Sequence, residues 1–344
     1  MRKRTRYSML LMLALVAALA FVLLLRKSAP PEAARLLPES DAIIYANLKP
    51  LRAATHFDRS PVSRSPEYQH FIDATGIVPE RDLDAAAFAL HRMSDPNGPN
   101  GPVGYSEVFE GRFDGQRLAQ YLETIATAKE TYAGHDVFTI QVGDGKEMRP
   151  LRVAQLGYDT VAASNMPTAE QIHSILDRHR AAASPFSGSS LLSARYRDVP
   201  AFSSAWAIGH IGLPFSDRGY ISVFGLQLPL PEDTTFVASL RYLGALHLRI
   251  EQIAPTDADA AHAAQTLRSL LNLFRTVQQS QEQLQPRASD TAFREMTDSM
   301  KIEQHKDRAI LTANIPLELI KQMAAPSTEP RAQPTPAQPF QSQP

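Results

Sequence analysis

Thr235 to Ile253 reads TFVASLRYLGALHLRIEQI, two apolar-rich runs divided by Gly244. In the second run Leu246, Leu248 and Ile250 alternate with His247, Arg249 and Glu251, the period of two that sets side chains on opposite faces of a strand. The glycine marks a tight turn, so Thr235–Leu243 and Ala245–Ile253 are expected to form an antiparallel hairpin. Thr256 or Asp257 then supplies a cap for a helix in which Ala264, Leu267, Leu271 and Phe274 recur at spacings of three and four. Two further strands, Met300–Gln304 and Ala309–Asn314, pair across His305–Arg308. Pro316 opens a closing helix bearing Leu319, Ile320 and Met323. Strands joined by short turns and followed by amphipathic helices define an α+β fold with largely antiparallel sheet and helices covering one face.

Working outward, the first half of the chain has the same order. Ala42–Leu48 is a strand with Ile43 and Tyr45 on one face and Ile44 and Ala46 on the other. Pro50–Arg81 reads as short helices and loops, with Tyr68, Phe71 and Ile72 as core contacts. Strands Ala85–Leu90 and Ser106–Phe113 lie either side of the turn cluster DPNGPNGP. Asp114 caps a helix carrying Leu118, Tyr121, Leu122 and Ile125. Strands Asp136–Val142, Leu151–Leu156 and Thr160–Ala163 follow, then a helix from Pro167 to His179 with Ile172, Ile175 and Leu176 inward. Val161-Ala-Ala-Ser-Asn-Met-Pro167 also resembles Leu311-Thr-Ala-Asn-Ile-Pro316. The expectation is two related α+β units, 37–184 and 185–323, with Ala205–Ile211 opening the strands of the second.

Ahead of both stands Met9–Leu25, an unbroken apolar run with Arg2, Lys3, Arg4 and Arg6 before it and Arg26 and Lys27 after it. Seventeen helical residues span roughly 25 Å, close to the hydrocarbon core of a bilayer. A cleaved signal is discounted because the small-residue triplet Ala18-Leu19-Ala20 lies inside the run. The run is expected to be a transmembrane anchor. The basic excess at 1–8 keeps the amino terminus in the cytoplasm, and residues 26–36 serve as a linker. At the other end, 324–344 holds six of the 26 prolines and reads as a disordered tail. The opening Leu37-Pro38-Glu39-Ser40-Asp41-Ala42, directly after an anchor and before a hydrophobic strand, resembles ectodomains of bacterial membrane-anchored proteins of unknown function. That resemblance implies a periplasmic α+β protein of the inner membrane with no assigned activity, and it transfers no site.

Formal net charge is −1, from 35 basic and 36 acidic residues, so no field gathers nucleic acid. The chain has no cysteine, hence neither a lipid-attachment thiol nor a disulfide framework. Gly143, Gly145 and Lys146 lack the spacing of a phosphate-cradling loop, and Gly188-Ser-Ser is not a nucleophile elbow. His173 and His179 diverge around a helix and do not share a metal. His247, Arg249 and Glu251 read as the polar outer face of a strand. Asp257 and Asp259 suit a helix N-terminus. Trp206 reads as core and Arg195–Arg197 as solvated surface. No catalytic, cofactor or metal residue is expected. One stretch resists a bland reading: between Gly212 and Asp233, Ile221, Val223, Phe224, Leu226, Leu228 and Leu230 form an apolar segment bounded by Gly and Pro. It is either a core strand or a partner surface. The functional expectation is a binding or scaffolding module with a protein partner in the envelope. A carrier of a small apolar ligand and an enzyme with a dispersed site are the alternatives.

Overall fold

The computed structural model describes residues 29–59, 64–96, 101–143, 148–181, 187–210, 220–223, 226–229, 234–242, 244–284 and 290–319. The expected anchor and the Pro-rich tail lie outside them. Among the described residues, no helix is long and apolar enough to cross a membrane.

The strands are β1 (Ala42–Asn47), β2 (Leu83–Arg92), β3 (Val103–Gly111), β4 (Ala128–Tyr132), β5 (His135–Val142), β6 (Arg149–Gln155), β7 (Thr160–Ser164), β8 (Ala205–His210), β9 (Tyr220–Val223), β10 (Leu226–Pro229), β11 (Thr235–Tyr242), β12 (Leu246–Ile253), β13 (Lys301–His305) and β14 (Arg308–Ile315). Twelve of them form one antiparallel sheet in the order β13-β14-β12-β11-β8-β1-β2-β3-β7-β6-β5-β4. Among the described residues, β9 and β10 pair only with each other. The helices are α1 (Glu32–Leu36), α2 (Leu48–Thr55), α3 (Pro66–Thr75), α4 (Pro79–Asp82), α5 (Gly115–Ile125), α6 (Glu170–Arg180), α7 (Ser190–Arg195), α8 (Asp257–Leu284) and α9 (Asp290–Ser299).

Local chemistry sets the element ends. The side chains of Asn47, Ser65, Asp114 and Ser189 accept backbone N–H bonds at the starts of α2, α3, α5 and α7. Thr256 and Asp259 bond reciprocally at the start of α8: the Asp259 N–H donates to Thr256 Oγ1 and the hydroxyl donates to Asp259 Oδ2. Gly244, at φ +82, makes the β11–β12 turn, a conformation in which a Cβ is strained. β4 is a strand that the pattern did not reveal, because AKETY is exposed almost throughout and buries no alternate face.

Three expectations change. The two units do not carry separate sheets. β1 pairs with β8, with Ile44 opposite Ala207, and this joins the halves into one ladder without exposed inner edges. Helices cover both faces, because β1 and β2 are apolar on both. And residues 32–36, expected to be linker, form α1, in which Ala33 and Ala34 are 0% exposed.

On the Ile43 face, α1, α6 and α7 close over the sheet. Ala85, Ala87 and Ala89 of β2 let α1 approach closely, and the Ala33 N–H donates to Glu110 Oε1 at 2.8 Å. On the Ile44 face, α3 and α5 cover one end through Phe71, Leu118 and Leu122. At the other end α8 and α9 cover Ala309, Ala313 and Ile315 through Leu267, Leu271 and Met296. The middle of that face belongs to none of these packed clusters.

Adjacent residues of β1 therefore test the asymmetry. Ile43, at 0% exposed, is expected to lose about 3 kcal/mol on change to Ala, and half-buried Ile44 about 1 kcal/mol, both read from urea unfolding midpoints.

Candidate functional site

One cross-strand row runs the full width of the Ile44 face: Ile302, Leu311, Ile250, Ala238, Ala207, Ile44, Phe88, Glu107, Ala163, Val153, Phe138 and Lys129, each paired with the next. Leu311 lies under the α8–α9 end, and Ala163, Val153 and Phe138 lie under the α3–α5 end, all buried. Between them, from Ile250 to Glu107, every member is only half-buried. On the other face the same six strands present Glu251, Val237, Ile208, Ile43, Ala89 and Ser106, none more than 3% exposed. The contrast belongs to this row: on the same Ile44 face Ala42, Ala86, Phe236, Leu246 and Gln252 are buried. The half-buried row crosses six strands, and the next row on that face, Gln252, Phe236, Gly209 and Ala42, is buried.

Glu107 is the one ionisable group in the row apart from exposed Lys129 at the sheet edge. It sits between Phe88 and Ala163, with Phe109 beside it in β3, and the Phe88 and Phe109 rings meet edge to face at 5.9 Å. No hydrogen bond or ion pair reaches its carboxyl among the described residues. Burial pushes that carboxyl up to about 7. A carboxyl of this kind on an apolar floor marks a candidate site.

Other constellations are satisfied internally. His91 Nε2 lies 3.0 Å from Ser106 Oγ, which lies 3.2 Å from Ser164 Oγ. The arrangement puts a base beside a hydroxyl, but Ser106 is 0% exposed beneath the helices, so no substrate reaches it. Burial also holds the His91 imidazole below its ordinary value. Ser190 donates to Glu39 Oε2 at 2.6 Å, and Ser189 caps α7. His173 stacks on Tyr132 at 3.8 Å and pairs with Glu130, whereas His179 meets His135 at 5.5 Å. Among the described residues no group of three or more His, Cys, Asp and Glu can hold a metal ion. An open cleft of about 400 Å³ lies beside α5, lined by Leu122, His135 and Gln155 among others. His135 Nδ1 there donates to the Gln155 carbonyl at 3.0 Å.

The strand face expected to be polar and outward is instead an ion network. Arg308 donates to Glu251 Oε2 and to Asp198 Oδ1, both at 2.9 Å, and Arg249 donates to Glu251 Oε1 at 2.7 Å. Arg195, expected to be solvated, reaches Asp198 at 3.8 Å. Glu251 is 3% exposed, so the network ties the turn after α7 to β12 and β14 as a structural clamp. Trp206 is core, stacked on Tyr45 at 5.5 Å.

Of the apolar segment singled out from the sequence, Ile221 and Val223 lie in β9 and Leu226 and Leu228 in β10. Val223 pairs with Leu226 and Ile221 with Leu228. Phe224 and Leu230 lie outside the described residues. Among the described residues, β9 and β10 form a two-stranded ribbon that is not paired to the main sheet. Glu107 was missed because Val108, Glu110 and Arg112 against Phe109, Gly111 and Phe113 read as ordinary alternation. The signal within reach was a single acid two residues before Phe109 on a face otherwise apolar.

Two measurements follow. The Glu107 carboxyl pKa lies above the ordinary carboxylate value, so it contributes stability below that value and loses it as pH rises through about 7. Glu107→Gln is expected to unfold with wild-type stability in acid and to be the more stable of the two above neutrality. Arg308→Ala, which leaves buried Glu251 with Arg249 alone and Asp198 with Arg195, is expected to destabilise by about 2 kcal/mol in chemical denaturation.

No protein-family model and no curated protein matches the chain. In fold it resembles solved structures of TP0453 of Treponema pallidum. For crystal form III the TM-score is 0.47 at 10% identity, over 86% of this chain and 98% of that one. For crystal form IV the values are 0.44 and 10%, over 85% and 96%.

Proposed function

We propose that this chain is a membrane-anchored binding module of a bacterial envelope, held in the inner membrane by Met9–Leu25 with its sheet in the periplasm, and that it docks a protein partner on the half-buried row of the Ile44 face. The observation that carries the reading is the one row of that face, Ile250, Ala238, Ala207, Ile44, Phe88 and Glu107, that stays half-buried between two helix-covered ends. Half-buried Ile44, Phe88 and Phe109 around a carboxyl without a partner among the described residues suit contact with a partner. The row takes the role first considered for Ile221, Val223, Phe224, Leu226, Leu228 and Leu230. A carrier of a small apolar ligand is the weaker reading, since such sites bury most of the ligand surface and a half-buried row covers one side only.

The same proposal treats 37–184 and 185–323 as related units. Its support is the strand order: outward from the Ile44–Ala207 pair, β1-β2-β3-β7-β6 on one side parallels β8-β11-β12-β14-β13 on the other.

In-cell crosslinking of the anchored protein tests the reading. The double change Phe88→Ser with Phe109→Ser is expected to abolish a recurrent adduct while the domain stays folded, and Leu226→Ser to leave it intact. Protease added to spheroplasts is expected to remove the sheet domain; full protection overturns the orientation.

A further inference from the structure

Resting on the reading of Met9–Leu25 as a membrane anchor, we infer that one end of the sheet sits on the periplasmic surface of the same bilayer, with Tyr158 and Phe202 in the phospholipid headgroup layer. Three features of that end carry this. The first is where the chain enters. The Ala33 N–H donates to Glu110, at the end of β3, and Glu32 lies within electrostatic reach of the same carboxyl. From there the chain runs the length of the strands to Asp41, whose N–H donates to the Leu90 carbonyl near the opposite end. Leu25 lies six residues before Pro31, the residue that precedes α1, a reach of at most about 21 Å. β2, with ten residues, is about 33 Å long. With Met9–Leu25 in the bilayer, the reach brings the Glu110 end to its surface and falls short of the other.

The second feature is what this end exposes. Tyr158, in the β6–β7 turn, is 93% exposed, and Phe202, just before β8, is 84% exposed. They stand at the same end: Thr160, Glu110, Ala85 and Asn47 pair in one row, and the Asn47 N–H donates to the Ser204 carbonyl. Four strand spacings set the two loops roughly 19 Å apart. Phe202 is held outward at φ +63, a strained conformation for a residue with a Cβ, and its ring gains no burial there. Aromatic rings of this kind suit the boundary between headgroups and acyl chains. The third feature is charge. On the strands between the two loops, the side chains of Lys49, Arg81 and Arg112 are 65%, 56% and 67% exposed, whereas their partners Asp84 and Asp82 are 19% and 8% exposed. The cations therefore lie outermost, where lipid phosphates meet them. Glu32 and Asp159 are also exposed at this end, which keeps the contact at headgroup depth.

The test uses the full chain in vesicles of phosphatidylethanolamine and phosphatidylglycerol. Because the chain has no cysteine, Tyr158→Cys and Phe202→Cys each create a single site for an environment-sensitive fluorophore. Lys306→Cys does the same in the exposed β13–β14 turn, which lies at the opposite end with His210 and Asp41. All three positions are exposed, and unchanged proteolytic resistance checks that the fold is kept. Phospholipid carrying a nitroxide on its headgroup is expected to quench the label at 158 and at 202 severalfold more strongly than at 306. Quenching at either 158 or 202 no stronger than at 306, in vesicles that carry the chain through flotation, overturns the inference and leaves the anchor standing. A full chain that does not float with the vesicles overturns the anchor reading and this inference with it.

Discussion

The pairing of β1 with β8 is the constraint on which the rest of the molecule depends. Each strand is the inner edge of its own half, and an unpaired edge presents a row of unsatisfied N–H and C=O groups. Antiparallel pairing about Ile44 and Ala207 satisfies both edges at once and makes a single sheet. Side chains reinforce it on the Ile43 face, where Tyr45 stacks on Trp206 and Tyr196 meets the indole at 5.4 Å. Ile43 and Ile208 pack beside them without exposure. The helices over that face depend on this seam, because α1, α6 and α7 close over residues drawn from both halves.

The two faces of the sheet then differ in cover. The Ile43 face has a continuous layer, and its polar members are paired: His91 with Ser106, Ser106 with Ser164, and Glu251 with Arg249 and Arg308. The Ile44 face has helices at its two ends and apolar surface between them. A solvent-facing side of an antiparallel sheet ordinarily alternates to polar residues; here Ile44, Phe88 and Phe109 are apolar and half-buried. Glu107 lies among them with a carboxyl held near neutrality by burial.

Much of the secondary structure was legible, and for local reasons. Alternation in Leu246–Ile250, the turn at Gly244, the cap at Asp114 and the buried stripe Ile172, Ile175 and Leu176 all depend on neighbours a few residues away. The β11–β12 and β13–β14 hairpins followed from short turns, whereas the pairing of β3 with β7 and of β12 with β14 did not. Helix cover on both faces was already implied by Ile43 and Ile44 being equally apolar, but the pattern was assigned to a single covered face. The candidate site was not legible, because Glu107 looks like any polar residue of a half-buried strand until its row is known.

The sequence by itself determined where strands and helices form, how their ends are capped, and that a basic-flanked apolar run precedes the folded part, since propensity, periodicity and capping act over one or two turns of chain. Only the tertiary structure decided that the two halves share one sheet, that Glu251 is clamped by Arg308 while Glu107 has no partner among the described residues, and that Ile44 stays half-buried where Ile43 is closed. Those outcomes depend on contacts between residues up to about 160 positions apart, as between Ile44 and Ala207. No local pattern encodes which strand edge another will meet.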